Sequence, residues 1–403
     1  MNIKNIIKAA LFTPGVGDHW GLPMLVESDP GESKSSQIGQ VASDTGLYCE
    51  TFMGSIHDPT DLSGLPRAVP VEGGEGHTVQ MASPEIYGVL KSNPHSVLFL
   101  DELNTCSMAM QAAMLRVVLE RAVGRYRLPM TTRVIAAQNQ LRNSTGGSRL
   151  SRAMLNRFII VPWEGVDAND WCSWMSTHDF DFTDTRKDVT PQTSIAQKIE
   201  EEVMALWPEE FGKAKGFVTA YIRNNSTALR DDASKVVGDK SYAKPRSWTM
   251  LAHAYAGAKI HKLNDDETTA LLYGCVGQVH AEDFLQYASK LDIPDCKAIV
   301  DGTLSFTPST TRIDVAAIVA ETCSSIVRGN NSLAINLGKE LLNLNGSINL
   351  VKLAAKYSEA GLLDAGVSML RVIATRTSDI TSHDEAFARR VLRPLMAKAS
   401  SFT

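Results

Sequence analysis

Ser96-Val97-Leu98-Phe99-Leu100-Asp101-Glu102 is the stretch on which the reading of the fold turns. Ser96 to Leu100 is a continuous apolar run, as expected of a strand buried on both faces of a sheet. Two carboxylates follow it at once. An acidic pair at the end of a buried strand is costly unless it meets a cation or water. Working outward, Pro23 to Glu27 reads as a strand running into the turn Ser28-Asp29-Pro30-Gly31, and Ser35 to Asp44 as a helix. Tyr48 to Met53 reads as a second strand, Ser107 to Arg121 as a helix, and Arg133 to Gln138 and Phe158 to Pro162 as further strands. Strands alternating with helices predict a mostly parallel sheet covered on both faces.

Beyond this region the strand signals fade. Residues 55–76 are rich in Gly, Pro and Asp and read as a long loop. Ser176 to Thr193 is polar and reads as a linker. Ile195, Ile199, Val203 and Leu206 form a helical face that is expected to stop at Pro208. Trp248 to Lys259 and the face Leu350, Leu353, Ala354 and Tyr357, closed by Gly361, are helical as well. No repeat period emerges. The expected organisation is an α/β core over 1–175, a helical domain over 190–300, and a helical C-terminal extension over 301–403; the first is read as nucleotide-binding, and the second as a lid, only through the resemblance given below.

Composition bounds the remaining classes. The 403 residues are 44% hydrophobic and 21% charged, ordinary for a packed chain, and carry a net charge of −5. With a pI near 6.0, whole-surface nucleic-acid binding has no electrostatic basis, although a local basic groove stays open. The six cysteines are scattered without a C-x-x-C pair, which gives no support to zinc and suits a reducing cytoplasm. No apolar run reaches the ~18 residues of a membrane span. Ile3, Ile6, Ile7, Ala10 and Leu11 follow helical spacing, so the N-terminus reads as an amphipathic helix rather than a signal peptide.

Four features carry chemistry. Ser28-Asp29-Pro30-Gly31-Glu32-Ser33-Lys34-Ser35 lies between a strand and a helix, where a phosphate loop belongs. The pattern G-x-x-x-x-G-K-[ST] uses backbone N–H groups and a helix N-terminus to cradle phosphates. In it Lys34 reaches the β- and γ-phosphates and Ser35 holds Mg²⁺. Both glycines of the formula are serine here, Ser28 and Ser33, and Glu32 adds a negative charge. A plain turn at a helix start competes with the phosphate reading. The second feature is the acidic pair. In a P-loop ATPase the Asp supports Mg²⁺ and the next Glu polarises the attacking water; the alternative is a helix N-cap by Asp101 or Asn104. Third, Arg133 to Asn139 ends in an amide that can position water against the γ-phosphate, or simply form a turn. Fourth, Leu150 to Phe158 ends in an Arg-Phe pair, and Arg157 can reach a neighbouring subunit's phosphate or sit at a helix C-terminus favoured by the dipole.

Together these features resemble the AAA+ ATPases, and most closely their MoxR-like branch. Pro30-Gly31-x-x-Lys34-Ser35 resembles the phosphate loop, with Pro30, Gly31, Glu32, Ser33, Lys34, Ser35 and Ser36 as nucleotide-binding positions. Asp58 to Pro66 resembles the segment after the family's second strand, Leu98 to Asn104 its Walker B strand, and Ala136 to Asn139 its sensor 1 strand. Asn156-Arg157-Phe158 resembles the arginine-finger segment, Lys244 to Trp248 the sensor 2 segment with Arg246 as its arginine, and Asp292 to Asp295 a segment of the lid. The resemblance implies an ATPase that binds ATP and Mg²⁺ with Ser35 and Asp101 at the metal and Glu102, Asn139, Arg157 and Arg246 as catalytic residues. It implies a ring, often a hexamer, that remodels or activates a protein partner, frequently one with a von Willebrand factor A domain. Asp58 and Asp61 would lie in a pore-facing loop, or be turn formers. A nucleotide-stabilised scaffold with little turnover is the alternative, motivated by the two serines. A nucleic-acid motor is a third, opposed by the charge.

Other signals are read as structural. Met108, Met110 and Met114 are assigned to the core. Trp163, Trp171 and Trp174 are expected to pack the core against the lid. Arg125, Arg127 and Arg133 are assigned to a solvated hairpin.

Overall fold

A computed structural model describes residues 1–17, 19–71, 76–140, 149–177, 192–232, 240–329 and 344–400. Five strands form one parallel sheet: β1 Met24–Ser28, β2 Tyr48–Met53, β5 Ser96–Asp101, β8 Thr132–Asn139 and β9 Ile159–Pro162. The spatial order is β2-β5-β8-β1-β9. Two short antiparallel ribbons flank it, β3 Pro66–Pro70 with β4 His77–Met81, and β6 Ala122–Val123 with β7 Tyr126–Arg127. Every residue of β5 is buried, which is why its sequence shows no alternation.

Two compact units divide the chain, and neither is continuous. The first comprises Met1–Glu200, Asp232–Tyr242 and Leu263–Gly277; the second comprises Glu201–Asp231, Ala243–Lys262 and Gln278–Thr403. In the first, Leu98, Leu100, Leu103, Met110 and Met114 share one apolar cluster with Val134 and Phe158. The Asp265–Val276 helix joins this unit through Gly274, where an added Cβ would stand 2.7 Å from the Ile160 carbonyl oxygen. The second unit is helical in its described residues. Helices Cys296–Asp301, Ile313–Arg328, Leu344–Glu359 and Val367–His383 bury Val319, Leu350, Tyr357 and Ile373 together. The parallel α/β core followed by an all-helical region is the architecture expected of an AAA+ core and lid.

Several expectations need correction. The stretch 55–76 is not simply a loop. Pro59–Ser63 is a helix turn capped by Asp58, whose N–H donates to Asp61 Oδ2 at 3.1 Å, and the Asp-Pro pair is its start signal. The β3 strand follows, and its two prolines are tolerated because the ribbon is only two strands wide. Pro208 does not end its helix, which runs over Thr193–Asn224. A missing N–H in a helix costs about 3 kcal/mol. Burial of Val203, Trp207 and Ala214, with Trp207 stacked on Phe211 at 4.7 Å, holds the helix through it. Met110 and Met114 are core, but Met108 at the helix start is 63% exposed. Trp163 is buried, whereas Trp171 and Trp174 are about half exposed on the Ala168–Thr177 helix. Arg125 and Arg127 flank an exposed hairpin turn, but Arg133 is fully buried and paired with Glu200. The expected linker falls largely on 178–191, outside the described residues.

Candidate nucleotide site

The strand order brings the carboxyl ends of β1, β5 and β8 together, since β8 lies between the other two. Ligands of open α/β sheets bind at such ends, where the strand order switches. Ser28 pairs with Asn139 across β1 and β8, so the start of the Ser28–Ser35 loop and the sensor-like amide meet by register alone.

After β1 the chain turns through Gly31 at φ +84 and Ser33 at φ 60, ψ 27, and then enters the Lys34–Asp44 helix. Ser33 thus takes the left-handed conformation that glycine supplies in the pattern, at a cost of about 1 kcal/mol. The first N–H groups of a helix have no partner within it and point out of its N-terminus. Here they face a cavity of about 340 Å³ lined by residues 30–36 of the loop, with Asp101, Glu102 and Asn139 opposite.

Within the cavity wall the functional side chains are already connected. Lys34 Nζ donates to Asn139 Oδ1 at 2.8 Å, to Ser28 Oγ at 2.9 Å and to the Asp29 carbonyl at 3.0 Å. Ser35 Oγ donates to Asp101 Oδ2 at 2.7 Å, and the Glu102 N–H donates to Asp101 Oδ1 at 2.9 Å. Burial holds the Lys34 ammonium below the ordinary lysine range, although Asp101, Glu32, Asp29 and Glu102 all pull the other way. Glu32 turns its carboxylate toward Gly165, where a Cβ would stand 1.7 Å from Oε2. Such a charge excess of carboxylates over one lysine suits a divalent cation carried by a polyphosphate. Among the described residues no cluster of three or more His, Cys, Asp or Glu is arranged to hold a metal by itself. A magnesium bound by one or two protein oxygens plus substrate phosphates does not require one. The donor set fits a magnesium–nucleotide, and the Ser35 hydroxyl and Asp101 carboxylate are the oxygens that would hold the metal.

Two residues outside the cavity lining hold residues that line it, a role the sequence does not assign, Asn104 having read only as a possible helix N-cap. Asn104 is fully buried, and its Nδ2 donates to the Asn139 carbonyl at 2.8 Å. Thr105 Oγ1 donates to the Glu102 carbonyl at 2.8 Å and fixes Glu102 at its left-handed φ of 52. Both follow the acidic pair within three residues, and only the folded turn reveals that they grip Glu102 and Asn139.

Neither Arg157 nor Arg246 is among the residues that line the cavity. Arg157 donates to the Ala153 carbonyl one turn earlier. Arg246 is exposed in the first turn of the Pro245–Ile260 helix, in the second unit.

Residues 75–162 match the family model of the sigma-54 interaction domain. The match is about a fifth of the chain. It takes in β5 with its acidic pair, β8 with Asn139, and Asn156-Arg157-Phe158, but begins after the phosphate loop. A solved structure of a Cytophaga hutchinsonii protein, provisionally named an ATPase, is similar with a TM-score of 0.45 at 16% identity, over 73% of this chain and 90% of that one. The family match, the strand order and the loop geometry support an ATP-binding protein of AAA+ type.

Proposed function

We propose that this chain is an Mg²⁺-dependent ATPase of the MoxR-like AAA+ branch, acting as a homo-oligomeric ring, a hexamer in the usual case, that remodels or activates a protein partner. The observation that carries the reading is the convergence on one cavity of Lys34, Ser35, Asp101, Glu102 and Asn139 from three neighbouring strand ends. Bound magnesium–ATP supplies the reacting phosphate and the charge that the carboxylates balance. Lys34 holds the phosphate chain, and the loop's N–H groups cradle it. Ser35 and Asp101 are the metal's protein oxygens. Glu102, held at the strand end by Thr105 and the Asp101 carboxylate, orients water and takes its proton. Asn139 places its amide at the γ-phosphate. Arg246 acts as the sensor arginine within a subunit and Arg157 across subunits.

The description of the matched domain names sigma-54 as what that family interacts with. A protein partner is the class carried over here, and a partner bearing a von Willebrand factor A domain is the form the MoxR-like reading expects. A second reading, a nucleotide-stabilised scaffold with little turnover, is favoured by one observation: protein oxygens already satisfy Lys34.

Steady-state phosphate release from Mg-ATP across a range of protein concentrations tests the reading, with Lys34→Ala and Glu102→Gln alongside. Turnover per subunit that rises with concentration and fails in both variants is expected. Wild-type protein that binds ATP but turns over no faster than Glu102→Gln favours the scaffold. Absence of nucleotide binding ends both readings.

A further inference from the structure

Ser28 is fully buried at the end of β1. Its hydroxyl donates to the Asp29 carbonyl at 3.1 Å and accepts from Lys34 Nζ at 2.9 Å. A lysine ammonium has three N–H groups. Its three nearest acceptors here are Asn139 Oδ1, Ser28 Oγ and the Asp29 carbonyl, all within 3.0 Å. The Ser28 carbonyl is farther, at 3.3 Å. Protein oxygens therefore account for all three protons. Two of the acceptors are independent of the side chain at position 28, and the third is that side chain. With alanine or glycine there, the third N–H has only the carbonyl at 3.3 Å, beyond the usual range of N–H···O bonds.

We propose that Ser28 is a latch on Lys34, its hydroxyl occupying the N–H that a phosphate oxygen would otherwise take, so that residue 28 sets nucleotide affinity at this loop. The inference rests on the nucleotide reading of the site. A hydrogen bond to a charged, buried group is stronger than one between neutral groups, so a phosphate must displace a good partner and not water. Ser33, the other departure from the glycine pattern, makes no side-chain cap at the helix start and acts through its backbone alone. The two serines thus have separable effects: Ser33 keeps the shape of the loop, and Ser28 restrains its lysine.

The test titrates wild type, Ser28→Ala, Ser28→Gly, Lys34→Ala and the double variant Ser28→Ala with Lys34→Ala with Mg-ATP by calorimetry. A second readout needs no nucleotide: the rate at which an amine-acylating reagent modifies Lys34, followed by peptide mass spectrometry. Ser28→Ala and Ser28→Gly are expected to bind Mg-ATP about tenfold more tightly than wild type. The gain is expected to vanish in the Lys34→Ala background, and Lys34 is expected to be acylated faster in both single variants. Wild type that binds, loses binding with Lys34→Ala, and binds no more weakly than the Ser28 variants overturns the latch and leaves the nucleotide reading standing. If no variant binds Mg-ATP, the nucleotide reading falls and the latch with it. Thermal melts check folding, and should Ser28→Gly fail to fold, Ser28→Ala carries both readouts.

Discussion

Ser35 Oγ donates a 2.7 Å hydrogen bond to Asp101 Oδ2, joining the start of the phosphate-loop helix to the end of β5 across 66 residues of sequence. The contact places a hydroxyl and a carboxylate where one cation can meet both. Asp101 is also fixed by the Glu102 N–H on its other oxygen. Asp101→Asn is therefore expected to lose Mg²⁺-dependent affinity for ATP by about ten- to a hundredfold, while the weaker binding seen in EDTA is nearly unchanged. Calorimetry with and without Mg²⁺ reads both quantities. Equal losses under the two conditions would show that Asp101 holds the loop and not a metal.

Gly31 and Ser33 both sit at positive φ, yet they predict opposite responses. Nothing lies within 4 Å of a Cβ built on Gly31, so Gly31→Ala tests backbone strain alone, and a loss of about 1–2 kcal/mol is expected. At Ser33 the strain is already present. Ser33→Gly is expected to stabilise the protein by a few tenths to about 1 kcal/mol, because glycine's larger unfolded-state entropy offsets part of the relief. Denaturant midpoints at constant slope measure the two changes. Opposite signs support the loop geometry, and a destabilised Ser33→Gly contradicts it.

Asn104 predicts a split between turnover and binding. Its amide holds the Asn139 backbone, and Asn139 in turn meets Lys34. Asn104→Ala removes that hold without touching a phosphate-binding group. Small misplacements at a reacting centre are costly, so kcat is expected to fall about ten- to a hundredfold, with Mg-ATP affinity changed about twofold or less. A parallel fall in affinity would make Asn104 a structural support of the whole cavity rather than a positioning residue for Asn139.

Much of the core was legible because its central strands, β1, β5 and β8, are buried on both faces, and the edge strand β2 was legible although only Phe52 in it is buried. Tyr48–Met53 emerged with its ends as read, and β5 gained only Asp101. The cavity-lining residues of the phosphate loop, the acidic pair and Asn139 were all legible as a pattern. The failures have physical causes. At Pro208 a local rule was outweighed by the burial of Trp207. Between Asp58 and Pro70, Pro and Asp served as helix-start and edge-strand residues, which composition does not separate from loop. Arg133 looked solvated because its partner, Glu200, lies 67 residues away. Asn104 and Ser28 act through hydrogen bonds to residues brought near by the fold, which spacing does not encode.

The Arg133–Glu200 pair yields the last prediction. Arg133 is fully buried at the start of β8, with its guanidinium 5.0 Å from the Phe12 ring centre and 5.7 Å from that of Trp20. It donates to Glu200, which His95 Nδ1 also approaches at 3.2 Å. Burial alone would raise the Glu200 carboxyl; hydrogen bonding to His95 and the charge of Arg133 outweigh it and hold the group below its ordinary 4.5. A carboxylate with a depressed folded value contributes stability that is complete above its unfolded value and is lost as pH falls through the folded one. Stability is therefore expected to decline below pH 4.5 in wild type, and this part of the decline should be absent in Glu200→Gln. That variant strands a buried guanidinium, so a loss of about 3–5 kcal/mol at neutral pH is expected. Replacing both partners, Arg133→Met with Glu200→Leu, should recover most of it, since an apolar pair of similar volume leaves no charge uncompensated. Urea unfolding of wild type and the two variants between pH 3 and 8 decides the matter. A Glu200→Gln protein as stable as wild type at neutral pH would mean that Arg133 finds its compensation in the Leu11 and Thr131 carbonyls and the two aromatic rings alone.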